Sequence, residues 1–213
     1  MKKLFLLVAI MAMTVVAKAQ HEEGDFTIQP RVGVTFATMT GEDNAKMKTN
    51  LTYGLEFERF FTDEFSVAAG ILFTNLGFKQ TYNDIVYTAH DGNSSAKENK
   101  VTLNNYYGLI PITLNYYVVE GLAIKAGVQP SFRVKTQIKE GDTKLDLDNA
   151  LDIYFGNEAS INRFDLAIPV GLSYEFRRIT VDARYNFGLV KVFKGTKNNY
   201  FNRYISLTLG YKF

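Results

Sequence analysis

From residue 26 onward, apolar and polar side chains alternate with a period of two, which predicts strands with two unlike faces. In FTIQPRVGVTF, Phe26, Ile28, Val32, Val34 and Phe36 share one face with Pro30, and Thr27, Gln29, Arg31, Gly33 and Thr35 share the other. The pattern returns seven more times. Its apolar rows run from Leu51 to Phe57, Phe65 to Phe73, Ile110 to Tyr116, Leu122 to Val134, Phe164 to Phe176, Ile179 to Leu189 and Ile205 to Phe213. No stretch beyond residue 20 has the length and apolarity of a membrane helix. Pro30, Pro111, Pro130 and Pro169 fall within these strands, where each removes a ladder donor, so bulges or register shifts are expected there.

The connections alternate in length. TDE at 62–64, VVE at 118–120 and RR at 177–178 are tight, whereas the segments near 38–49, 80–99, 136–162 and 191–199 are long. Up-and-down strands place every tight turn, and both termini, at one end. The expected fold is all-β: an eight-stranded antiparallel up-and-down transmembrane β-barrel with short periplasmic turns and long extracellular loops. The eighth strand, NRYISLTLGYKF, closes on the first and removes both sheet edges.

Alternation does not say which face points outward, so a soluble periplasmic lipid-binding barrel with an apolar interior is the competing architecture. The polar face carries Arg31, Lys125, Arg133, Arg184 and Lys212 against Glu56, Glu58, Asp165, Glu175 and Asp182, five charges of each sign. Eight strands enclose only enough space for side chains, and desolvated charges need opposite partners. The balance therefore favours a plugged polar lumen without steady conductance. Phe60, Phe61, Phe65, Tyr116, Tyr117, Phe176, Tyr211 and Phe213 gather near the tight turns, as an interfacial girdle would. Phe36, Phe73, Phe132, Phe164 and Phe201 mark the opposite rim, and Arg59 stands beside a turn, where it can snorkel.

The amino terminus, MKKLFLLVAIMAMTVVAKAQ, has a basic start, an apolar run from Leu4 to Ala17 and Ala17-Lys18-Ala19 before Gln20. This predicts a cleaved secretory signal peptide at 1–19, with the barrel at 20–213. The apolar run is shorter than the roughly 20 residues a spanning helix needs. Three of the 24 basic residues (Lys2, Lys3, Lys18) lie in that leader, leaving 21 basic against 22 acidic, without a basic run suited to nucleic acid. The absence of cysteine excludes thiol catalysis, disulfides, cysteine-ligated zinc and lipid attachment at a processed cysteine.

Three stretches resemble the PorT-like outer-membrane β-barrels of Bacteroidetes-type bacteria: YYGLIPITLNYY at 106–117, GLAIKAGVQPSFRVK at 121–135, and RFDLAIPVGLSYEF with ITVDARYNFGLVKV. Together the resemblance covers most of residues 26–213. It implies an integral outer-membrane protein with loops facing the exterior, no catalytic residues, no cofactor, and a conceivable part in secretion or gliding. The aromatic end at Tyr211 and Phe213 resembles the signal read by the barrel-insertion machinery. Expected partners are outer-membrane lipid, that machinery during assembly, and a surface or envelope ligand of unassigned identity.

Two chemistries compete with a non-catalytic loop surface. A rim-active hydrolase would draw on His90 with Asp91 and Ser94 or Ser95, or on His21, but neighbours in one polar loop do not define nucleophile, base and orienting acid. A divalent-cation site would draw on Asp142, Asp146, Asp148, Asp152 and Glu158, which lack the ligand spacing and glycine of an EF-hand loop. A solvated acidic segment is the simpler reading.

Overall fold

The computed structural model describes residues 21–40, 46–77, 79–87, 94–140, 143–146, 162–193 and 199–213. The expected leader lies outside them, as do His90, Asp91 and most of the third long loop. Among the described residues eleven strands follow in order: β1 (Phe26–Met39), β2 (Lys48–Phe60), β3 (Phe65–Leu76), β4 (Lys79–Tyr87), β5 (Ser94–Leu109), β6 (Ile112–Val119), β7 (Leu122–Glu140), β8 (Thr143–Asp146), β9 (Phe164–Phe176), β10 (Ile179–Lys191) and β11 (Phe201–Tyr211).

Eight walls close into a barrel, because β1 pairs β11 and β2 while β2 pairs β3 in turn. The backbone of Phe213 completes the closing seam: its N–H donates to Ile28 O at 3.0 Å, and Ile28 N–H donates to Phe213 O at 3.3 Å. β5 and β6 form one wall interrupted at Pro111. Both meet β3 on one side and β7 on the other, in the same register before and after the proline. Gly70 N–H reaches Pro111 O at 3.0 Å and Ile110 N–H reaches Pro130 O at 2.9 Å, so the ladder is stitched across the break.

The expected irregularity is met at Pro111, where the strand breaks between Leu109 and Ile112, and the β7–β9 ladder skips Pro169, but no register shift accompanies any proline. Pro30, Pro130 and Pro169 pair with Leu55, Leu166 and Asn186 in unshifted ladders. The shifts lie instead at Tyr106/Tyr107, Tyr117/Val119 and Phe187/Lys191. A proline removes one donor without adding a residue, and register changes only when a residue is added. Two loop expectations are also corrected. Much of 80–99 is the β4–β5 hairpin, and β7 extends to Glu140 with β8 beside it. These extensions carry no apolar row, which left them invisible to the alternation.

The faces settle the orientation. Val32, Leu55, Ile71, Leu114, Ile124, Val170, Val181 and Leu209, one on each wall, point outward and are exposed. Gln29, Glu56, Asn115 and Lys125 point inward and are buried. Exposed apolar rows around a buried polar interior are the arrangement of a barrel whose solvent is lipid, opposite to a soluble lipid carrier. A small apolar cluster, including Leu72, Leu76, Tyr107, Leu109 and Tyr204, occupies the loop-side part of the lumen.

Two members of the expected aromatic girdle turn inward. Phe60 is buried, and Tyr117 directs its hydroxyl into the lumen. Phe65, Tyr116, Phe176, Tyr211 and Phe213 keep the outward position.

Candidate functional site

The lumen charges come from walls distant in sequence. Strand alternation aims Arg31 of β1, Glu56 of β2, Lys125 of β7, and Asp182 and Arg184 of β10 at one central layer. Arg31 Nη2 lies 2.8 Å from Glu56 Oε1 and Arg31 Nη1 lies 3.4 Å from Asp182 Oδ2. Lys125 Nζ lies 3.1 Å from Asp182 and 3.5 Å from Glu56. Arg184 reaches Glu56 Oε2 through Nη2 and Asp182 Oδ1 through Nε, both at 2.7 Å. Three cations thus clamp two carboxylates, all almost wholly removed from solvent. At such burial each charge depends on its opposite partners.

A second layer closes the tight-turn end. Lys212 Nζ lies 3.0 Å from Glu58 Oε2 and 2.5 Å from Glu175 Oε2. Glu58 also accepts from Ser66 Oγ at 2.5 Å, and from Asn115 Nδ2, Tyr117 Oη and Gln29 Nε2, each at 2.8 Å. His21 stacks on Phe60 with ring centroids 4.0 Å apart, and its Nε2 stands 3.0 Å from Glu175 Oε2. Lys212 lies 5.1 Å above the Phe60 ring, adding a cation–π contact. The surplus cation of the central layer faces the surplus carboxylate here, and Lys125 bears electrostatically on Glu58 to link the layers.

The last two expected lumen charges stand toward the loops. Arg133 donates from Nε to Asn162 O at 3.3 Å and from Nη1 to Thr136 Oγ1. Asp165 accepts from Asn202 Nδ2 and from Leu166 N–H, both at 2.8 Å. The ten charges therefore divide into a central clamp, a turn-end plug and a loop-side pair. Of the neutral groups that complete the turn-end plug, the sequence reading placed Gln29 on the polar face without a role, put Tyr117 in the girdle, and missed Ser66 and Asn115. Gln29, Ser66 and Asn115 alternate with the apolar row of their strands, which was the available signal. His21 gave no signal, because it precedes the alternating pattern. Tyr211 and Phe213 point outward and pack edge to face, with centroids 4.7 Å apart.

Chemically this interior can hold charge and exclude bulk water. The His21 ring stacks on Phe60 and meets Glu175 and Lys212 at its Nε2 edge. Ser66 is fully buried. Among the described residues, no cluster of three or more His, Asp or Glu side chains is arranged to hold a metal ion.

The family model described as outer membrane protein beta-barrel domain matches residues 18–194, and the chain belongs to this family. It is an integral protein of the outer membrane. Among solved structures, the chain is similar to Ail, the attachment invasion locus protein of Yersinia pestis, at 15% identity and a TM-score of 0.49, covering 90% of this chain and 99% of that one. Neisserial surface protein A is similar at 13% identity and a TM-score of 0.47, covering 88% and 97%. OprG from Pseudomonas aeruginosa is similar at 14% identity and a TM-score of 0.39, covering 91% and 97%. No curated protein matches the chain.

Proposed function

We propose that this barrel is non-catalytic and that its long extracellular loops present a binding or structural surface serving secretion or envelope organisation. The observation that carries this reading is the clamp of Arg31, Lys125 and Arg184 on Glu56 and Asp182. A lumen filled by paired charges offers no water-filled path, which leaves the loops as the place where such a scaffold carries function. Within the family, the chain is a PorT-like member of Bacteroidetes type, supported by YYGLIPITLNYY and the strands that follow it. A leader cleaved before Gln20 delivers it to the envelope, and the barrel-insertion machinery reads Tyr211 and Phe213. Its standing partners are outer-membrane lipid and a surface or envelope ligand.

The test replaces residues 147–161 with a glycine-serine linker of equal length in cells lacking the native copy. The barrel should still assemble, and the envelope or secretion phenotype of the deletion should persist. Full complementation by the loop-replaced barrel would contradict the loop reading.

A further inference from the structure

We infer that a row of lysines across the strand extensions above the barrel is a binding site for an anionic polysaccharide at the cell surface. Backbone pairing sets the row. Lys46 and Lys79 exchange backbone hydrogen bonds of 3.0 and 3.3 Å, Lys79 pairs with Thr102, and Thr102 pairs with Lys139. Register then sets Lys144 opposite Lys139. Directly opposed residues of an antiparallel ladder share a face. The row therefore crosses five adjacent segments, over about 20 Å at the usual strand spacing.

Lys46, Lys79 and Lys139 are exposed, and among the described residues none of them has an acidic partner. Lys48, next to them, is buried, yet its Nζ donates to neutral oxygens, those of the Asn104 side chain and the Leu103 backbone. A buried lysine ordinarily has an acid beside it, whereas here the charge of Lys79 bears on Lys48. Like charges set opposite each other on a sheet face cost stability. In the lumen, by contrast, each cation of the central clamp meets a carboxylate. An uncompensated cationic row complements a ligand that carries the missing negative charge along a line.

The height of the row selects that ligand. Lys79 stands six residues beyond Phe73 and Lys139 seven beyond Phe132, two exposed aromatics of the loop-side rim. At about 3.3 Å per residue and a tilt near 40°, the lysines lie about 15 Å outside that rim. The headgroup layer is only about 5–7 Å deep, so the row stands beyond phospholipid phosphates, at the level of surface polymer. Thr102 in the row, and Gln137 opposite Asn104 in the next row toward the membrane, bring a hydroxyl and amides suited to sugar hydroxyls. No aromatic stands in either row for bases to stack on, as single-stranded nucleic acid requires. This inference rests on the loop-surface reading and gives that surface a ligand class, but it uses strand extensions rather than residues 147–161.

The test is binding of dextran sulfate to the folded barrel in phosphatidylcholine nanodiscs, read by biolayer interferometry against neutral dextran of equal length. Dextran sulfate should bind and neutral dextran should not. The triple variant Lys46→Gln, Lys79→Gln, Lys139→Gln should bind roughly ten-fold more weakly, as expected from losing three exposed charge contacts. Arg59→Gln, Arg177→Gln, Arg178→Gln removes the same charge at the tight-turn end and should weaken binding less than about two-fold, because salt screens at that distance. Equal loss in the two triple variants would overturn the site. So would a DNA duplex of equal charge binding as tightly, or displacement of dextran sulfate by short-chain phosphatidylglycerol at equal charge. Should the lysine variant fail to fold, acetylation of the wild-type barrel decides: dextran sulfate should shield Lys46, Lys79 and Lys139 while Lys191 stays reactive, and uniform shielding would contradict the row. A barrel that ignores dextran sulfate, yet loses complementation when residues 147–161 are replaced, would end this inference and leave the loop reading standing.

Discussion

Arg184 and Glu56 are 128 residues apart in the chain, yet one guanidinium nitrogen, Nη2, donates to both carboxylate oxygens of Glu56, at 3.0 and 2.7 Å. The contact spans the lumen from β10 to β2 and ties together walls that share no ladder. It belongs to the clamp of Arg31, Lys125 and Arg184 on Glu56 and Asp182 that occupies the lumen.

Removing one partner of that clamp strands the others. Glu56→Gln leaves Arg31, Lys125 and Arg184 sharing the single carboxylate of Asp182, and breaking buried pairs in this way costs about 3–5 kcal/mol. Equilibrium urea unfolding in lipid vesicles should show a loss of this size. A change below about 1 kcal/mol would mean that the lumen is wetter than the geometry implies.

The β1–β11 seam depends on close backbone approach. A Cβ on Gly33 would stand 2.0 Å from Leu207 O and 2.6 Å from Thr208 Cα, and neither backbone atom can give way cheaply. Gly33→Ala should cost at least about 1–3 kcal/mol or abolish assembly. At Gly108 the new Cβ meets only the Phe73 ring, at 3.6 Å, so Gly108→Ala should be neutral or stabilising by about 0.5–1 kcal/mol. Heat-modifiable gel mobility of the two variants separates these outcomes.

His21 pins the segment before β1 into the tight-turn mouth. Besides its own contacts, that segment is held by Gly24 N–H on Phe60 O and Phe60 N–H on Asp25 O, both at 2.9 Å. His21→Ala removes a ring stack typically worth about 0.5–1.5 kcal/mol, so protease cutting at residues 22–25 should accelerate roughly 2- to 10-fold while the barrel stays intact. An unchanged cutting rate would show that the backbone bonds alone hold the segment.

Deleting Phe213 removes both an outward aromatic and the last pair of seam bonds to Ile28. The expected result is a lower fraction of folded barrel in the outer membrane and accumulation of unassembled chain in the periplasm. Phe213→Tyr preserves the backbone bonds and the aromatic face, and should assemble normally.

Much of this architecture was legible in the alternation, because a wall with lipid on one side and a packed lumen on the other imposes a period of two. The apolar row from Leu122 to Val134, for example, is the outward face of β7, apart from the interruption at Pro130. The charge balance also pointed to a filled lumen. It did not reveal that Arg184 meets Glu56 while Arg133 turns to Asn162, since pairing across a barrel depends on the stagger of the walls. Phe60 and Tyr117 were misplaced because nearness to a turn was taken as a sign of lipid contact. Phe60 stands one residue from Arg59, which already faces outward, and Tyr117 adjoins the register shift before Val119. The opening of the seam between the Thr52–Thr74 pair and the Lys46–Lys79 bridge left no trace in the pattern, because it arises from where neighbouring ladders end.

The most direct test of a closed, charge-filled barrel is single-channel recording of the purified, folded protein in a planar bilayer at neutral pH. The clamp around Glu56 and Asp182 predicts a flat baseline without stable conductance steps. A steady, reproducible open level would contradict it and would return the lumen to consideration as a pathway.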